Sequence, residues 1–388
     1  MVFVSANLTT HERKIKMYKI RALVIVLSAF SCVLLSSSVA SAQIRTVLVS
    51  PVPGNPIASG TNLRNALANI PSPSSTNRWL LKIEPGIYEL QGTALQMRPW
   101  VDIEGSGIGV TTIRLSSPTD PFNATISGAS NAELRLLTVE ATDNVKAMSN
   151  NNAHPRIYRV KFVATGEGIR FGMENILSAP RIEECEFIVS LSPIGIGPTL
   201  ALGISFDQLP TEVRSSILRS RIAVSGGTVN YGVRMSRGQT VTEIRETQID
   251  VTGGPSGSNA YGISALAGDW LGSETLELRN VRINSISSSQ SFGILLQTDT
   301  SILLVVSHSK IVTSNAAITK GIFQGGNRAV FAEHSIIQGL TKTVEVPNHS
   351  CSIQATGLVG GPTTAGLWQG CMGVWDEMGV FYTTGCPQ

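Results

Sequence analysis

The segments Ile182-Glu183-Glu184-Cys185-Glu186-Phe187, Ile217-Leu218-Arg219-Ser220-Arg221-Ile222 and Ile244-Arg245-Glu246-Thr247-Gln248-Ile249 share one pattern. An apolar residue is followed by two variable residues, a small or medium residue, one more variable residue and a second apolar residue. The pattern extends outward on both sides. Leu134-x-x-Leu137-x-Val139 and Ile157-x-x-Val160-x-Phe162 precede it; Leu278-x-x-Val281-x-Ile283, Val306-x-x-Ser309-x-Ile311 and Phe331-x-x-His334-x-Ile336 follow it. A second motif, Gly followed by Ile or Val, falls between the units: Gly168-Ile169, Gly203-Ile204, Gly232-Val233, Gly262-Ile263, Gly293-Ile294 and Gly321-Ile322. Two interleaved motifs recurring about every 30 residues mean a solenoid. The unit is too short for helix pairs and alternates with period two, as strands do. The offset of three between its first two apolar positions implies a bend, so one strand ends and another starts inside the motif. Several strands per coil, with length changes absorbed in loops, describe an all-β right-handed parallel β-helix.

The ends of the chain read differently. Basic residues Arg13, Lys14, Lys16, Lys19 and Arg21 precede an apolar run from Ala22 to Leu35, and Ala40-Ser41-Ala42 stands ahead of Gln43. That is the layout of a secretory signal peptide over residues 1–42, and Met17 begins a better-shaped one than Met1 does. The run is too short to stay in a bilayer as a permanent span. The segment carries five Lys/Arg and one Glu, a net of +4 in a chain of net +3, so the remainder is near −1. The basic pI therefore belongs to the leader, and nothing electrostatic points to a nucleic acid. Residues 43–125 read as an N-terminal cap and first coils, 126–345 as the repeats, and 346–388 as a cysteine-containing C-terminal cap. Clustered Cys351, Cys371 and Cys386 in an exported chain suggest a disulfide, for which Cys371 and Cys386 are the expected pair. Cys185, at the small inward position of its unit, is expected to be a buried free thiol.

The N-terminal region carries a family resemblance. Leu63, Ala66, Leu67 and Ile70 mark a short amphipathic helix. Leu80-Leu81-Lys82-Ile83-Glu84-Pro85-Gly86-Ile87-Tyr88 is similar to the I-x-P-G-x-Y opening of pectinesterase-like domains. Val101-Asp102-Ile103-Glu104-Gly105-Ser106-Gly107 and Thr111-Thr112-Ile113 resemble the next coil of pectin-lyase-like right-handed β-helix proteins. The resemblance implies that the helix caps the open end of the core. The tail, with Leu358-Val359-Gly360-Gly361-Pro362 and Cys371-Met372-Gly373-Val374-Trp375, is similar to that of exported bacterial β-helix proteins without an assigned activity. Fold does not fix function.

The chemistry that the resemblance implies is not found in the expected form. Pectinesterases use two Asp, Gln residues and an Arg on one sheet; here Gly203-Ile204-Ser205-Phe206-Asp207-Gln208 has one Asp, and the next coil offers Gly232-Val233-Arg234-Met235-Ser236. A lone Asp207 cannot serve as both nucleophile and acid. Asp207, Asp269 and Asp299 stand at unequal distances from their glycines, so they need not form the clustered carboxylates of a calcium-dependent lyase. No Cys-x-x-Cys or His pair suggests zinc, and no cofactor or catalytic set is assigned. His334 reads as an inward, satisfied residue.

The outward positions carry more. Arg159, Glu184, Arg219, Glu246, Asn280, His308 and Glu333 fall two residues past the first apolar position of successive units, as a structural charge ladder. Lys161, Glu186, Arg221, Gln248, Arg282, Lys310 and Ser335 form a second row, four of its seven members basic, which reads first as a solvated face and second as a strip for an acidic polysaccharide. After the Gly-Ile motif come Arg170, Ser205, Arg234, Ser264, Leu295 and Phe323, with Asp207, Arg237 and Trp270 near in sequence. Arg170, Ser205, Asp207, Arg234, Arg237 and Trp270 are therefore the candidate ligand-binding residues, in a groove suited to a sugar chain. The reading is an exported, non-catalytic β-helix, secreted or held in the periplasm or envelope and binding a glycan. The alternative is a polysaccharide-active lyase, esterase or glycosidase with an atypical site.

Overall fold

The computed structural model describes residues 44–383 apart from 119, 121, 143–144, 193–198, 208–213, 237–241, 255–256, 267–273, 298–301, 326–327, 348–349, 366–368, 377 and 379. Residues 44–388 form one compact unit. Each coil contributes three short strands: in one coil these are Thr242–Arg245, Gln248–Thr252 and Asn259–Leu266. Along the repeats each strand pairs in parallel with its equivalents in the neighbouring coils, so the coils stack into three ladders; Val374–Trp375 and Phe381–Tyr382 at the C-terminal end pair antiparallel. The fold is a parallel β-helix, wound in the right-handed sense that parallel crossovers adopt.

The registers follow the repeat. Leu134, Ile157, Ile182, Ile217, Ile244, Leu278 and Val306 are successive Cα partners on the first ladder. Val139, Phe162, Phe187, Ile222, Ile249, Ile283 and Ile311 are partners on the second. All fourteen are fully buried, and with the Ile and Val of the third ladder they make one continuous core. A residue that points inward in one coil stacks on its counterpart in the next, as Phe162 does on Phe187 at 4.9 Å between ring centroids.

The bend between the first two ladders is made by one residue per coil with positive φ: Arg159, Glu184, Arg219, Glu246, Asn280, His308 and His334. The backbone N–H there still donates to the following coil, as from Glu184 to the Leu218 carbonyl at 3.0 Å. The next residue points inward, and its own N–H has lost its sheet partner. A hydroxyl of the following coil replaces it: the Cys185 N–H donates to Ser220 Oγ (3.1 Å), that of Ser220 to Thr247 Oγ1 (3.3 Å), and that of Ser309 to Ser335 Oγ (3.1 Å). Each of those hydroxyls donates in turn to the carbonyl two residues before it. This explains a small polar residue in the middle of an apolar motif: the bend leaves a buried donor that must be satisfied. Cys185 occupies the same row as a buried free thiol, and burial pushes it up to about 12.

A helix, α1 (Pro56–Ala68), covers the N-terminal end of the second ladder. Asn55 caps its start, accepting the Ala58 N–H at 3.0 Å, and Pro56 needs no partner in the first turn. Leu63, Leu67 and Ile70 are buried. Arg98 closes the other end, its guanidinium donating to the carbonyls of Leu67, Ala68 and Ile70. Tyr88 of the resemblance motif is buried, its hydroxyl donating to the carbonyls of Val49 and Glu84.

Two sequence expectations are corrected. In the coil of residues 330–337 the inward residues are Val330, Ala332, Ser335 and Ile337, while Phe331, His334 and Ile336 are exposed. Val306 pairs with Ala332 and Ile311 with Ile337, so the unit is shifted by one from Phe331-x-x-His334-x-Ile336. His334, not Glu333, stands at the bend, and it is no core residue. On the third ladder Met173 pairs with Ile204, so Gly172-Met173 is the first member of the glycine motif and Gly168-Ile169 is not. Of the C-terminal cysteines, Cys351 is a buried free thiol and Cys371 is buried and disulfide-bonded; Cys386, its expected partner, lies outside the described residues.

Candidate functional site

The third ladder presents four outward rows, and the glycine motif aligns two of them. Gly203, Gly232, Gly262 and Gly293 stack directly. A Cβ on Gly262 would lie 2.6 Å from the Gly293 carbonyl oxygen and 2.2 Å from a methyl of Ile283, so only glycine fits. The residue before each glycine points outward: Phe171, Leu202, Tyr231, Tyr261 and Phe292 are Cα partners in succession, followed by Lys320 and Lys342. Two residues past each glycine comes the second row: Glu174, Ser205, Arg234, Ser264, Leu295, Phe323 and Glu345.

These rows build an aromatic column. Tyr231 and Tyr261 stack at 4.9 Å and 17°, Tyr261 and Phe292 at 5.7 Å and 24°, and Phe323 meets Phe292 edge-on at 6.4 Å. The near-parallel rings use their faces on one another, leaving a ridge of ring edges. Arg234 lies over Tyr231 at 5.9 Å and Lys320 over Phe323 at 4.4 Å, so a cation sits at each end. The column faces outward yet is largely covered: Tyr261, Phe292 and Leu295 keep less than a tenth of their surface. Burial pushes the Tyr261 phenol up to about 12 and raises that of Tyr231 as well.

Polar atoms around the column are left without partners. Arg234 Nε and Ser264 Oγ, on adjacent coils of one row, and Asn259 Oδ1, on the same strand as Tyr261, are all shielded from water and have no hydrogen-bond partner. Most buried polar atoms are satisfied, so three orphans within two coils of one face need an explanation. Arg234 Nε is a donor, Asn259 Oδ1 an acceptor, and Ser264 Oγ can act as either.

The sequence candidates divide on this geometry. Ser205 and Arg234 are Cα partners in the second row, and Asp207 stands two residues beyond Ser205, accepting from Ser236 Oγ at 3.0 Å. Arg170 does not join them. The shifted motif puts Glu174 in its expected place, and the Arg170 guanidinium folds back on the carbonyls of Thr165 and Ile169. Arg237 and Trp270 lie outside the described residues, as do Asp269 and Asp299. The sequence reading missed the aromatic column. Its signal was present as an aromatic residue before the glycine in Phe171-Gly172, Tyr231-Gly232, Tyr261-Gly262 and Phe292-Gly293.

Carboxylates on this face are engaged. Glu174 pairs with Lys146 (2.6 Å) and Glu345 with Lys320 (2.5 Å), at opposite ends of the column. Among the described residues no group of three or more His, Cys, Asp or Glu side chains could hold a metal ion. No helix among them is long and apolar enough to cross a membrane.

The chain matches no protein-family model and no curated protein. Among solved structures it is similar to ORF18 of Geobacillus virus E2, at 11% identity and a TM-score of 0.33, covering 88% of this chain and 63% of that one. It is similar to the A-module of the Azotobacter vinelandii mannuronan C-5 epimerase AlgE4, at 13% identity and a TM-score of 0.40, covering 84% and 89% of the two chains. A third is tailspike protein 3 of bacteriophage CBA120, at 12% identity and a TM-score of 0.30, covering 85% and 52%. The fold of the chain itself is a parallel β-helix. These likenesses carry no argument about function, which rests on the site alone.

Proposed function

We propose that this protein is an exported, non-catalytic β-helix that binds a polysaccharide against the outer face of the third ladder, in the secreted, periplasmic or envelope compartment. One observation carries the reading: Arg234 Nε, Ser264 Oγ and Asn259 Oδ1 are buried, unpartnered, and grouped around the Tyr231–Tyr261 stack. A ligand that satisfies a donor, an acceptor and a hydroxyl must itself both accept and donate. A sugar with neighbouring hydroxyl groups does so, and its apolar ring hydrogens suit the aromatic edges. Arg234 and Lys320 favour an acidic sugar over a neutral one.

The engaged state of Glu174, Asp207 and Glu345 favours binding over a glycosidase, whose chemistry needs two adjacent carboxylates with free oxygens. The test is a glycan array on the protein without its first 42 residues, with reducing-end release assayed on every glycan retained. Retention of acidic glycans without release, lost in Arg234→Ala and kept in Lys310→Ala, is the expected result. Release of reducing ends would transfer the protein to the enzymatic reading. Retention that is indifferent to Arg234→Ala would remove this face from consideration.

A further inference from the structure

The bend between the first and second ladders changes character along the chain. Arg159, Glu184 and Arg219 form ion pairs there, whereas two coils near the C-terminal end place histidines at the same point. His308 and His334 stand on adjacent coils with ring centroids 5.1 Å apart and planes within 12°. Both are exposed, and among the described residues none of their ring nitrogens has a hydrogen-bond partner. His154, by contrast, is occupied, its Nδ1 accepting the Ala179 N–H at 3.0 Å.

We propose that His308 and His334 form a two-histidine site for a divalent transition-metal ion of borderline softness. Three observations carry it. The rings are neighbours by register rather than by chance of rotamer, since Val306 and Ala332, two residues before each, are Cα partners. Their backbone is fixed, because both residues take positive φ (51° and 47°) and both N–H groups donate to the next coil, to Glu333 and Gln354 carbonyls at 3.1 and 3.0 Å. The ring nitrogens are free to ligate. Metal–imidazole bonds are about 2.0–2.1 Å long, so two nitrogens on one ion lie within about 4 Å of each other. From stacked rings this requires only rotation about χ2, a soft torsion in histidine. Water completes the coordination. Imidazole favours copper, nickel and zinc over calcium or magnesium, and two such ligands bind copper most tightly of the divalent first-row ions. The site lies on a different face from the proposed glycan groove and does not depend on it.

The experiment is titration of the untagged protein with CuCl2, NiCl2 and ZnCl2 in a non-chelating buffer, followed calorimetrically, with the copper complex examined by electron paramagnetic resonance. The expected result is one ion per chain, tightest for copper, with a spectrum of two nitrogen ligands. Asparagine tolerates the left-handed bend and already occupies it at Asn280, so His308→Asn and His334→Asn keep the coil while removing the ligand. Each should weaken binding about tenfold or more, and His349→Asn should leave it unchanged. Copper binding that survives the double variant, fails to saturate at one ion per chain, or depends on His349 would overturn the site.

Discussion

The bend column and the aromatic column are built by the same rule, one residue per coil stacked along the axis, but they are satisfied differently. At the bend, Arg159 donates to Glu184 at 2.6 Å and Arg219 pairs with both Glu183 and Glu184. The network continues along the first ladder through Glu133, Arg135, Arg156 and Glu104. From Glu104 to Arg219 every charged member answers another, which is how a register is held. On the third ladder the rings answer one another while Arg234, Ser264 and Asn259 keep unpartnered atoms. A satisfied row explains itself by folding; an unsatisfied one leaves places for a partner.

Perturbing the two columns should therefore give unlike results. The largest effect belongs to the core they share. Ile217→Asp puts a charge at a fully buried position and should cost roughly 4 kcal/mol or more, unfolding the neighbouring coils in urea or heat. A variant that still melted as the parent does would refute the register. Next, Gly262→Ala forces a methyl against Ile283 and the Gly293 carbonyl and should cost about 1–3 kcal/mol. A neutral result would mean that the glycine row does not set the spacing of the aromatic column.

Ser220→Ala strips the bend of a hydroxyl and leaves the buried Cys185 N–H unanswered, at about 1–2 kcal/mol. Ser220→Thr should retain most of the stability, as Thr247 serves in the next coil. Tyr261 gives a pH signature. Its folded pKa is raised by burial to about 12 against about 10 unfolded, so its contribution is full below pH 10 and is lost as pH rises toward 12. Tyr261→Phe should flatten that alkaline decline by about 1 kcal/mol or less, since the hydroxyl is not wholly desolvated. An unchanged decline would place its cause elsewhere.

The smallest effect belongs to the exposed ladder. Glu184→Arg sets three like charges in a row and should lower the melting temperature slightly, the loss shrinking in high salt. Changing Arg159 and Arg219 to glutamate in the same chain should recover part of it. Hydrogen bonding from Arg159 holds the Glu184 carboxyl below its usual range. The pairing therefore contributes above the ordinary carboxylate pKa and fades as pH falls through the lowered one, which an acid titration of the Glu184→Gln chain would reveal by its absence.

What could be read in the sequence follows from how singular each pattern is. From Leu134 to Val306 one face is apolar and the other polar, so only one register buries the right set. In Val330-Phe331-Ala332-Glu333-His334-Ser335-Ile336-Ile337 both faces are apolar, and the alternation alone admits a shift by one. Burial of Val330, Ala332 and Ile337 selects the register that puts Phe331 outside. Gly168-Ile169 misled for a similar reason: a turn glycine at φ 76° preceded the ladder glycine, Gly172, by four residues. Half of the candidate site was legible, since Arg234 and Ser205 needed only the repeat. Its aromatic members were hidden because the residue before each glycine varies, from Leu202 through Tyr261 to Lys320, and so forms no fixed motif. The orphaned atoms required the folded chain, for no sequence shows which donor lacks an acceptor.

The hydroxyl row beneath the bend also has a direction. Ser220 completes Cys185, Thr247 completes Ser220, Ser309 completes Val281 and Ser335 completes Ser309; in every case the later coil supplies the earlier one. The two ends of the solenoid are thus not equivalent as places to cut. A chain shortened from its N-terminus leaves no donor of this row bereft, whereas one shortened from its C-terminus to just before Ser309 or Ser220 strands a buried N–H at its new last coil. During synthesis the same asymmetry holds each fresh coil one step short of completion until its successor arrives, so the row closes in the order in which the chain is made.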